Sequence, residues 1–133
     1  TDGTPWLAMN PNYRQINVRE QEARTDSVLA YYRRLVHLRK ADAYRETFTY
    51  GIFEPAYQEM ADVFAYYRVS GESGQRILVA ANFGTDAVSL PLAYPCRQVL
   101  LSNLRAESAV ETACEKANAL TLESCEVAVI ELG

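Results

Sequence analysis

The sequence predicts a mainly β fold: an antiparallel β-sandwich of Greek-key type preceded by one amphipathic helix. The main observation is a series of seven short segments, most of them rich in β-branched or aromatic residues, that alternate with turn residues from residue 45 onward. A second observation is that residues 28–40 contain neither Gly nor Pro and carry apolar residues at the helical period. The two patterns divide the chain into a helical part and a strand-rich part.

Residues 1 to about 24 predict an irregular loop. Turn signals occur at residues 3–5 (G-T-P) and 10–12 (N-P-N), and the residue before each proline is pushed toward extended geometry. The apolar residues between these turns follow no regular period. We expect such a segment to run against a larger body.

A helix is predicted over residues 28–40. Thr25, Asp26 and Ser27 are its candidate N-caps. Its apolar stripe covers more than half of the circumference, which is broader than one small partner requires. The helix is therefore expected to pack against a large body. The stripe consists of Val28, Leu29, Tyr31, Tyr32, Leu35, Val36 and Leu38.

The strand-rich part predicts one central and one edge strand in particular. The segment 77–83 is apolar on both faces, as expected for a buried central strand. Pro91 restricts its own strand to a sheet edge. Residues 70–74 predict a hairpin loop, and residues 108–117 a loop rather than a short helix. The predicted strands are 47–53, 62–69, 77–83, 87–92, 97–102, 119–123 and 126–132.

Composition and charge exclude several classes of protein. With 133 residues and 49% hydrophobic residues, the chain can form a packed core. A formal net charge of -4 argues against a nucleic-acid partner. The longest apolar stretches are far too short to span a bilayer, so no membrane partner is expected. No basic and apolar signal sequence is visible in the first residues.

The three cysteines, Cys96, Cys114 and Cys125, form no CxxC pair. A structural zinc site needs about four ligands, and the single histidine, His37, is distant in sequence. We therefore expect no metal site. The odd count favours free thiols in a reducing compartment, which predicts a cytoplasmic protein. One disulfide with a spare thiol is the alternative.

A search for catalytic groups yields no constellation. Glu54, Glu59 and Asp62 are close in sequence, but they lie on a polar connection and are interpreted as solvated rather than as a carboxylate pair. His37 is interpreted as a partly buried structural residue, because no nucleophile motif accompanies it. The glycine-containing loop at residues 71–74 lacks the lysine and helix of a phosphate loop. We therefore expect neither a catalytic residue nor a cofactor.

The aromatic residues on predicted strands could stack against a sugar or fill the core. Core positions are the favoured interpretation, since strand segments in a sandwich bury such residues. The residues concerned are Tyr50, Phe53, Phe64, Tyr66 and Phe83.

One motif near the start resembles a known enzyme family. Residues 3–13 (G-T-P-W-L-A-M-N-P-N-Y) and 16–18 (I-N-V) resemble the segment G-x-P-W-x-x-V-N-x-N-Y-x-x-I-N-V of glycoside hydrolase family 13. The similar members are the oligo-1,6-glucosidase-like and dextran-glucosidase-like enzymes, with Met9 in place of a valine. The match extends over residues 1–83 and becomes thin afterwards.

The resemblance implies a parent enzyme with a (β/α)8 barrel. Residues 1–42 then correspond to a loop and the last helix of that barrel, and residues 43–133 to a C-terminal β-sandwich domain. The family's nucleophilic aspartate, its acid/base glutamate and a second aspartate all lie upstream of this segment, so no catalytic residue is carried over. Trp6, Asn10 and Tyr13 lie in a loop that borders the barrel, which makes them candidate substrate-binding residues, with packing as the alternative.

The resemblance thus predicts a non-catalytic C-terminal domain of an α-glucosidase that acts on α-1,6-linked oligosaccharides. Its expected partner is the catalytic barrel of the same parent enzyme. The parent enzyme, through its barrel, binds the α-gluco-oligosaccharide substrate. Without that barrel, residues 1 to about 24 are expected to be loosely held. Two alternatives stay open: a carbohydrate-binding module, and a dimerisation domain that pairs through residues 28–40. Four tyrosines distinguish sugar binding from the stabilising role: their exposure favours binding, and their burial favours stabilisation of the barrel. They are Tyr50, Tyr57, Tyr66 and Tyr67.

Overall fold

The computed structural model describes residues 3–105 and 118–133. Cys114 and the loop predicted at residues 108–117 lie outside this part of the chain. The chain divides into two compact units, Thr1–Val36 and His37–Gly133.

The first unit contains short helical segments where an irregular loop is predicted. A 3₁₀ turn spans Pro11–Arg14, and helix α1 spans Val18–Glu22. The side chain of Asn10 accepts a hydrogen bond from the Asn12 amide at 3.2 Å, and that of Asn17 accepts one from the Glu20 amide at 3.1 Å. These asparagines therefore cap helices, although the sequence pattern suggests only turns. The loop prediction is wrong for these residues.

Helix α2 spans Val28–Lys40, which are the predicted bounds. Ser27 is the candidate cap that acts, because its Oγ accepts a hydrogen bond from the Ala30 amide at 3.1 Å. The side chain of Gln21 accepts another from the Leu29 amide at 3.0 Å. None of the thirteen residues of α2 is buried.

Helix α3, Asp42–Tyr50, occupies the first half of the segment that predicts a strand over residues 47–53, so this prediction is wrong. Thr47 is the buried residue of α3. The Arg68 side chain donates hydrogen bonds to the carbonyls of Thr47 and Phe48 near the end of the helix. The bond to Phe48 pairs a carbonyl in the last turn of α3, where the helical hydrogen bonds end. The bond to Thr47 adds to the one that its carbonyl accepts from the Gly51 amide at 3.1 Å. Contacts with the sheet thus override the β-propensity of the threonines and aromatic residues.

All strand pairs are antiparallel. A five-stranded sheet has the order β1-β2-β3-β7-β5, and a second sheet pairs β4 with β6. The last six strands lie within one residue of their predicted bounds. The protein is therefore mainly antiparallel β with a few helices. The strands are β1 Ile52–Ala56, β2 Val63–Val69, β3 Arg76–Asn82, β4 Val88–Pro91, β5 Cys96–Ser102, β6 Ala119–Leu122 and β7 Val127–Leu132.

Strand β3 is central, as predicted, and lies between β2 and β7. Both sheets contribute to one hydrophobic core, in which Leu78 and Ile130 of the large sheet are fully buried together with Leu90 and Leu122 of the small one. The prolines lie where a missing backbone donor is tolerated: Pro91 in the two-stranded sheet and Pro55 on the edge strand β1. The strand positions of the second unit therefore follow the sequence pattern except at α3.

Candidate functional site

The three predicted substrate-binding residues lie in the first unit. The side chain of Trp6 is 92% exposed, and that of Tyr13 is 43% exposed. The Asn10 side chain caps the 3₁₀ turn, as described above. The hydroxyl of Tyr13 accepts a hydrogen bond from Arg14 Nε at 3.2 Å. The two aromatic rings are open to a ligand or a neighbouring body, whereas Asn10 already has a structural task, and the binding role stays a prediction.

The three acidic residues that are close in sequence near β1 and β2 are exposed. Glu54 accepts a hydrogen bond from Arg76 Nη1 at 3.3 Å, and Glu59 and Asp62 also face solvent. Their interpretation as solvated residues is consistent with this exposure.

Two of the sequence-based interpretations need correction. His37 is exposed on α2 rather than partly buried. Cys96 is disulfide-bonded, so the prediction of free thiols is wrong for this residue, whereas Cys125 is a free, exposed thiol. Within residues 3–105 and 118–133, no group of His, Cys, Asp and Glu side chains could hold a metal ion. No helix in this same part of the chain is long and apolar enough to cross a membrane.

The fully buried carboxylate of Glu126 is paired with Arg105 in a cluster of charged and polar groups. Its Oε1 accepts hydrogen bonds from Arg105 Nε at 2.6 Å and from Ser102 Oγ at 2.9 Å. Its Oε2 accepts bonds from Arg105 Nη2 and the Glu123 amide, both at 2.9 Å. The Arg105 side chain is 19% exposed. A carboxylate with four donors has little basicity left for proton transfer, so this cluster is structural.

The pKa of Glu126 reflects two opposing causes. Burial raises it, but the hydrogen bonds from Arg105, the Glu123 amide and Ser102, together with the Arg105 charge, bring the pKa below its ordinary value of 4.5. The sequence offers one signal for this site: a glutamate directly before the apolar strand β7. This signal alone does not identify a buried carboxylate, because the sequence does not show that Arg105 pairs with Glu126.

We expect this pair to make stability depend on pH. Because the folded-state pKa of Glu126 lies below its unfolded value, its contribution is fully present above about pH 4.5 and is lost as the pH falls through the folded pKa. Thermal unfolding between pH 7 and pH 3 should show a steeper loss of Tm below pH 4.5 for the native chain than for Glu126→Gln. Parallel curves for the two proteins contradict this expectation.

A second polar cluster holds α3 on the large sheet. Glu131 Oε1 accepts a hydrogen bond from Gln75 Nε2 at 3.0 Å, and its Oε2 accepts one from Gln98 Nε2 at 2.8 Å. Gln98 Nε2 also donates to the Tyr44 hydroxyl at 2.8 Å. Burial, together with the Glu131 charge, raises the pKa of Tyr44. This cluster, too, consists of groups that satisfy one another.

Three aromatic residues on the face of β1 and β2 opposite to the core correct the prediction that strand aromatics are buried. Phe53 is 50% exposed and Phe64 is 56% exposed. The inner face of β2 is taken instead by Ala65 and Tyr67, which pack against the core. Because successive side chains alternate between faces, Phe64 and Tyr66 must point outward. Tyr50 and Phe83, at 80% and 73% exposure, are not core residues either.

Phe53, Phe64 and Tyr66 line an open groove of about 500 Å³. The ring of Phe53 lies 4.8 Å from that of Tyr66, and the ring of Phe64 lies 5.7 Å from it, measured between centroids. We call this surface the aromatic groove. Its walls include Arg39, Phe48, Phe53, Phe64, Tyr66 and Arg68.

Comparison with known proteins gives a consistent result. The family model described as "Alpha amylase, catalytic domain" matches residues 1–51. The glucan 1,6-alpha-glucosidase of Streptococcus pneumoniae is 36% identical over 109 residues, which cover 82% of this chain and 19% of that enzyme. The oligo-1,6-glucosidase of Bacillus cereus is 37% identical over 86 residues, or 65% of this chain and 14% of that enzyme.

A solved structure matches the whole fold. The isomaltulose synthase from Klebsiella sp. LX3 superimposes with a TM-score of 0.82 at 30% sequence identity, covering 100% of this chain and 22% of that protein. The chain spans about one fifth or less of the length of these relatives. The sequence motif, the family model and the fold all agree: the chain belongs to glycoside hydrolase family 13, the α-amylase family, and corresponds to one part of the longer enzymes of that family.

Proposed function

We propose that this chain is the non-catalytic C-terminal part of an α-glucosidase that acts on α-1,6-linked oligosaccharides. In this proposal residues 43–133 form a Greek-key β-sandwich that stabilises the catalytic (β/α)8 barrel, and residues 1–42 supply that barrel's last loop and helix. Trp6 and Tyr13 then border the substrate mouth. The names of the relatives support the substrate class.

The observation that carries the proposal is the uncovered apolar stripe of α2. Val28 is 78% exposed, Tyr32 is 61% exposed and Leu35 is 37% exposed. An amphipathic helix normally buries this face, and full burial of one such side chain contributes about 1.5–3 kcal/mol. A stripe of this kind therefore fits a large apolar partner, which a barrel provides.

The carboxylates favour a non-catalytic role. Glycoside hydrolysis needs two carboxyl groups that face each other across the substrate. Of the described residues, Glu126 and Glu131 are buried, and both are saturated by hydrogen bonds. Glu54, which follows the groove residue Phe53 in β1, forms an ion pair with Arg76. These arrangements are typical of structural acids.

A chimera tests the stabilising role. The full 133-residue chain replaces the matching segment of the Streptococcus pneumoniae glucan 1,6-alpha-glucosidase. We expect a double change, Val28→Asp with Tyr32→Asp, to lower the Tm of the chimera by at least about 5 °C and to reduce glucosidase activity. The same changes should leave the Tm of the isolated chain nearly unchanged, because both side chains are already exposed there. His37→Asp, on the opposite side of α2, is the matched control. Equal Tm values for the double variant and the control contradict the proposal.

A carbohydrate-binding module is a second candidate function. Of the four tyrosines that separate the two functions, Tyr50 is exposed, which favours binding, whereas Tyr57, Tyr66 and Tyr67 are half-buried. The exposed rings of Phe53 and Phe64 could also stack against sugars. Calorimetric titration of the isolated chain with isomaltose, maltose and longer α-glucans separates the two functions. Saturable binding supports the module, whereas the absence of heat at millimolar ligand supports the stabilising role.

Dimerisation through α2 is the remaining alternative, because large apolar patches seldom stay uncovered. Sedimentation equilibrium of the isolated chain tests it: a dimer that Val28→Asp dissociates supports pairing through this helix. A cytoplasmic location also remains part of the proposal, but the disulfide at Cys96 weighs against it. Thiol titration of the unreduced, denatured chain addresses it, since three reactive thiols favour a reducing compartment and a single one disfavours it.

A further inference from the structure

We propose that the aromatic groove is a second contact surface, buried in the intact enzyme against the remainder of the α-amylase catalytic domain. This inference rests on the proposed function and extends it, since it assigns a particular face of the β domain to the interface. The groove lies wholly within the unit His37–Gly133 and is distinct from the apolar residues Val28, Tyr32 and Leu35 of α2.

The first argument is the continuity of the exposed aromatic surface. The Phe53–Tyr66 and Phe64–Tyr66 ring pairs join neighbouring strands into one patch. Phe53 and Phe64 each leave about half of their surface in water. An isolated exposed aromatic residue needs no explanation, but a contiguous patch of this kind marks an interaction surface. The groove is therefore expected to be covered.

The polar groups of the groove indicate a protein rather than a sugar. A carbohydrate site needs several placed polar groups besides its rings. The Arg68 guanidinium, however, already donates to the carbonyls of Thr47 and Phe48. The lining contains neither carboxylates nor side-chain amides. Arg39 is the exposed cation on the rim. The groove fits an apolar protein surface that places a carboxylate opposite Arg39.

The position of the groove in the chain identifies the partner. Arg39 and Phe48 lie within residues 1–51, which match the alpha-amylase catalytic domain. Phe53, Phe64 and Tyr66 lie beyond that match. The groove thus combines residues from the segment that matches the catalytic domain with residues of the strands that follow it. The relatives carry about four fifths or more of their length outside the segment matched here, so their catalytic domain supplies a body large enough to cover it.

The experiment compares one substitution in two settings. Phe64→Asp is introduced into the isolated 133-residue chain and into the Streptococcus pneumoniae chimera described above. We expect the Tm of the isolated chain to change by no more than about 1 °C, because Phe64 is exposed there, and that of the chimera to fall by at least about 5 °C. Phe83→Asp is the matched control, since Phe83 is 73% exposed and lies outside the groove. It should leave both Tm values nearly unchanged.

Each other outcome overturns the inference in a distinguishable way. An unchanged chimera Tm with Phe64→Asp, alongside the loss expected for Val28→Asp with Tyr32→Asp, rejects the groove and leaves the proposed function standing. Unchanged values for both sets of variants reject both. An equal loss in chain and chimera shows that Phe64 stabilises only its own sheet. Sugar binding or dimerisation of the isolated chain that Phe64→Asp abolishes assigns the groove to a glucan or to a second copy instead.

Discussion

Replacement of Glu126 by alanine is expected to lower the free energy of unfolding by about 3–5 kcal/mol, because it breaks a buried ion pair by removing one partner. The change leaves the mostly buried guanidinium of Arg105 without its bidentate acceptor and deprives Ser102 Oγ and the Glu123 amide of theirs. Domains of this kind are stable by only about 5–15 kcal/mol. A large fraction of the variant should therefore unfold at moderate denaturant concentrations.

Urea unfolding of the isolated chain, followed by circular dichroism, measures this loss. Glu54→Ala is the matched control. Its carboxylate also pairs with an arginine, Arg76, but the Glu54 side chain is 47% exposed, and an exposed pair contributes only about 0–1 kcal/mol. A loss for Glu126→Ala as small as that of the control contradicts the structural role assigned to the buried cluster.

Leu78→Ala is expected to cost about 2–5 kcal/mol, because it opens a cavity in the core shared by both sheets. Leu78 is fully buried on the central strand β3, and its cluster includes Leu90 and Leu122 of the two-stranded sheet. The loss combines the transfer free energy of the removed methyl groups with the cavity that remains. It should appear as a lower urea midpoint with an unchanged m-value.

The leucine control is Leu104→Ala, since Leu104 is 57% exposed. Its expected effect is within about 0.5 kcal/mol, as for surface substitutions in general. Similar midpoints for Leu78→Ala and Leu104→Ala would mean that the two sheets do not share the core described above.

The strands could be predicted from sequence because their information is local. Six of the seven strands lie between turn residues, and their apolar residues follow a pattern that one face or both faces of a sheet require. Helix α3 could not be predicted in this way. The segment around Thr47 and Phe48 has high β-propensity, and its helical form depends on Arg68 and Gln75, which are 20 or more residues away in sequence.

The candidate surfaces show a similar division. The apolar stripe of α2 follows directly from helical periodicity, and its exposure is consistent with the predicted large partner. The sequence pattern predicts Phe53 and Phe64 in the core, because composition alone does not say which face of β2 is buried. That choice depends on Ala65 and Tyr67, which pack on the inner face. The Glu126–Arg105 pair joins residues 21 positions apart, so no local pattern reveals it.

The position of β7 in the large sheet has a consequence for biosynthesis. Residues 127–132 provide the strand between β3 and β5. Since β3 and β5 precede β7 in the chain, they can join one sheet only after β7 has been synthesised. Until the ribosome releases this segment, β3 presents an open, apolar edge that pairs readily with other chains. Premature termination before residue 127 therefore exposes this edge permanently. We therefore expect chains truncated before residue 127 to aggregate more readily than the 133-residue chain.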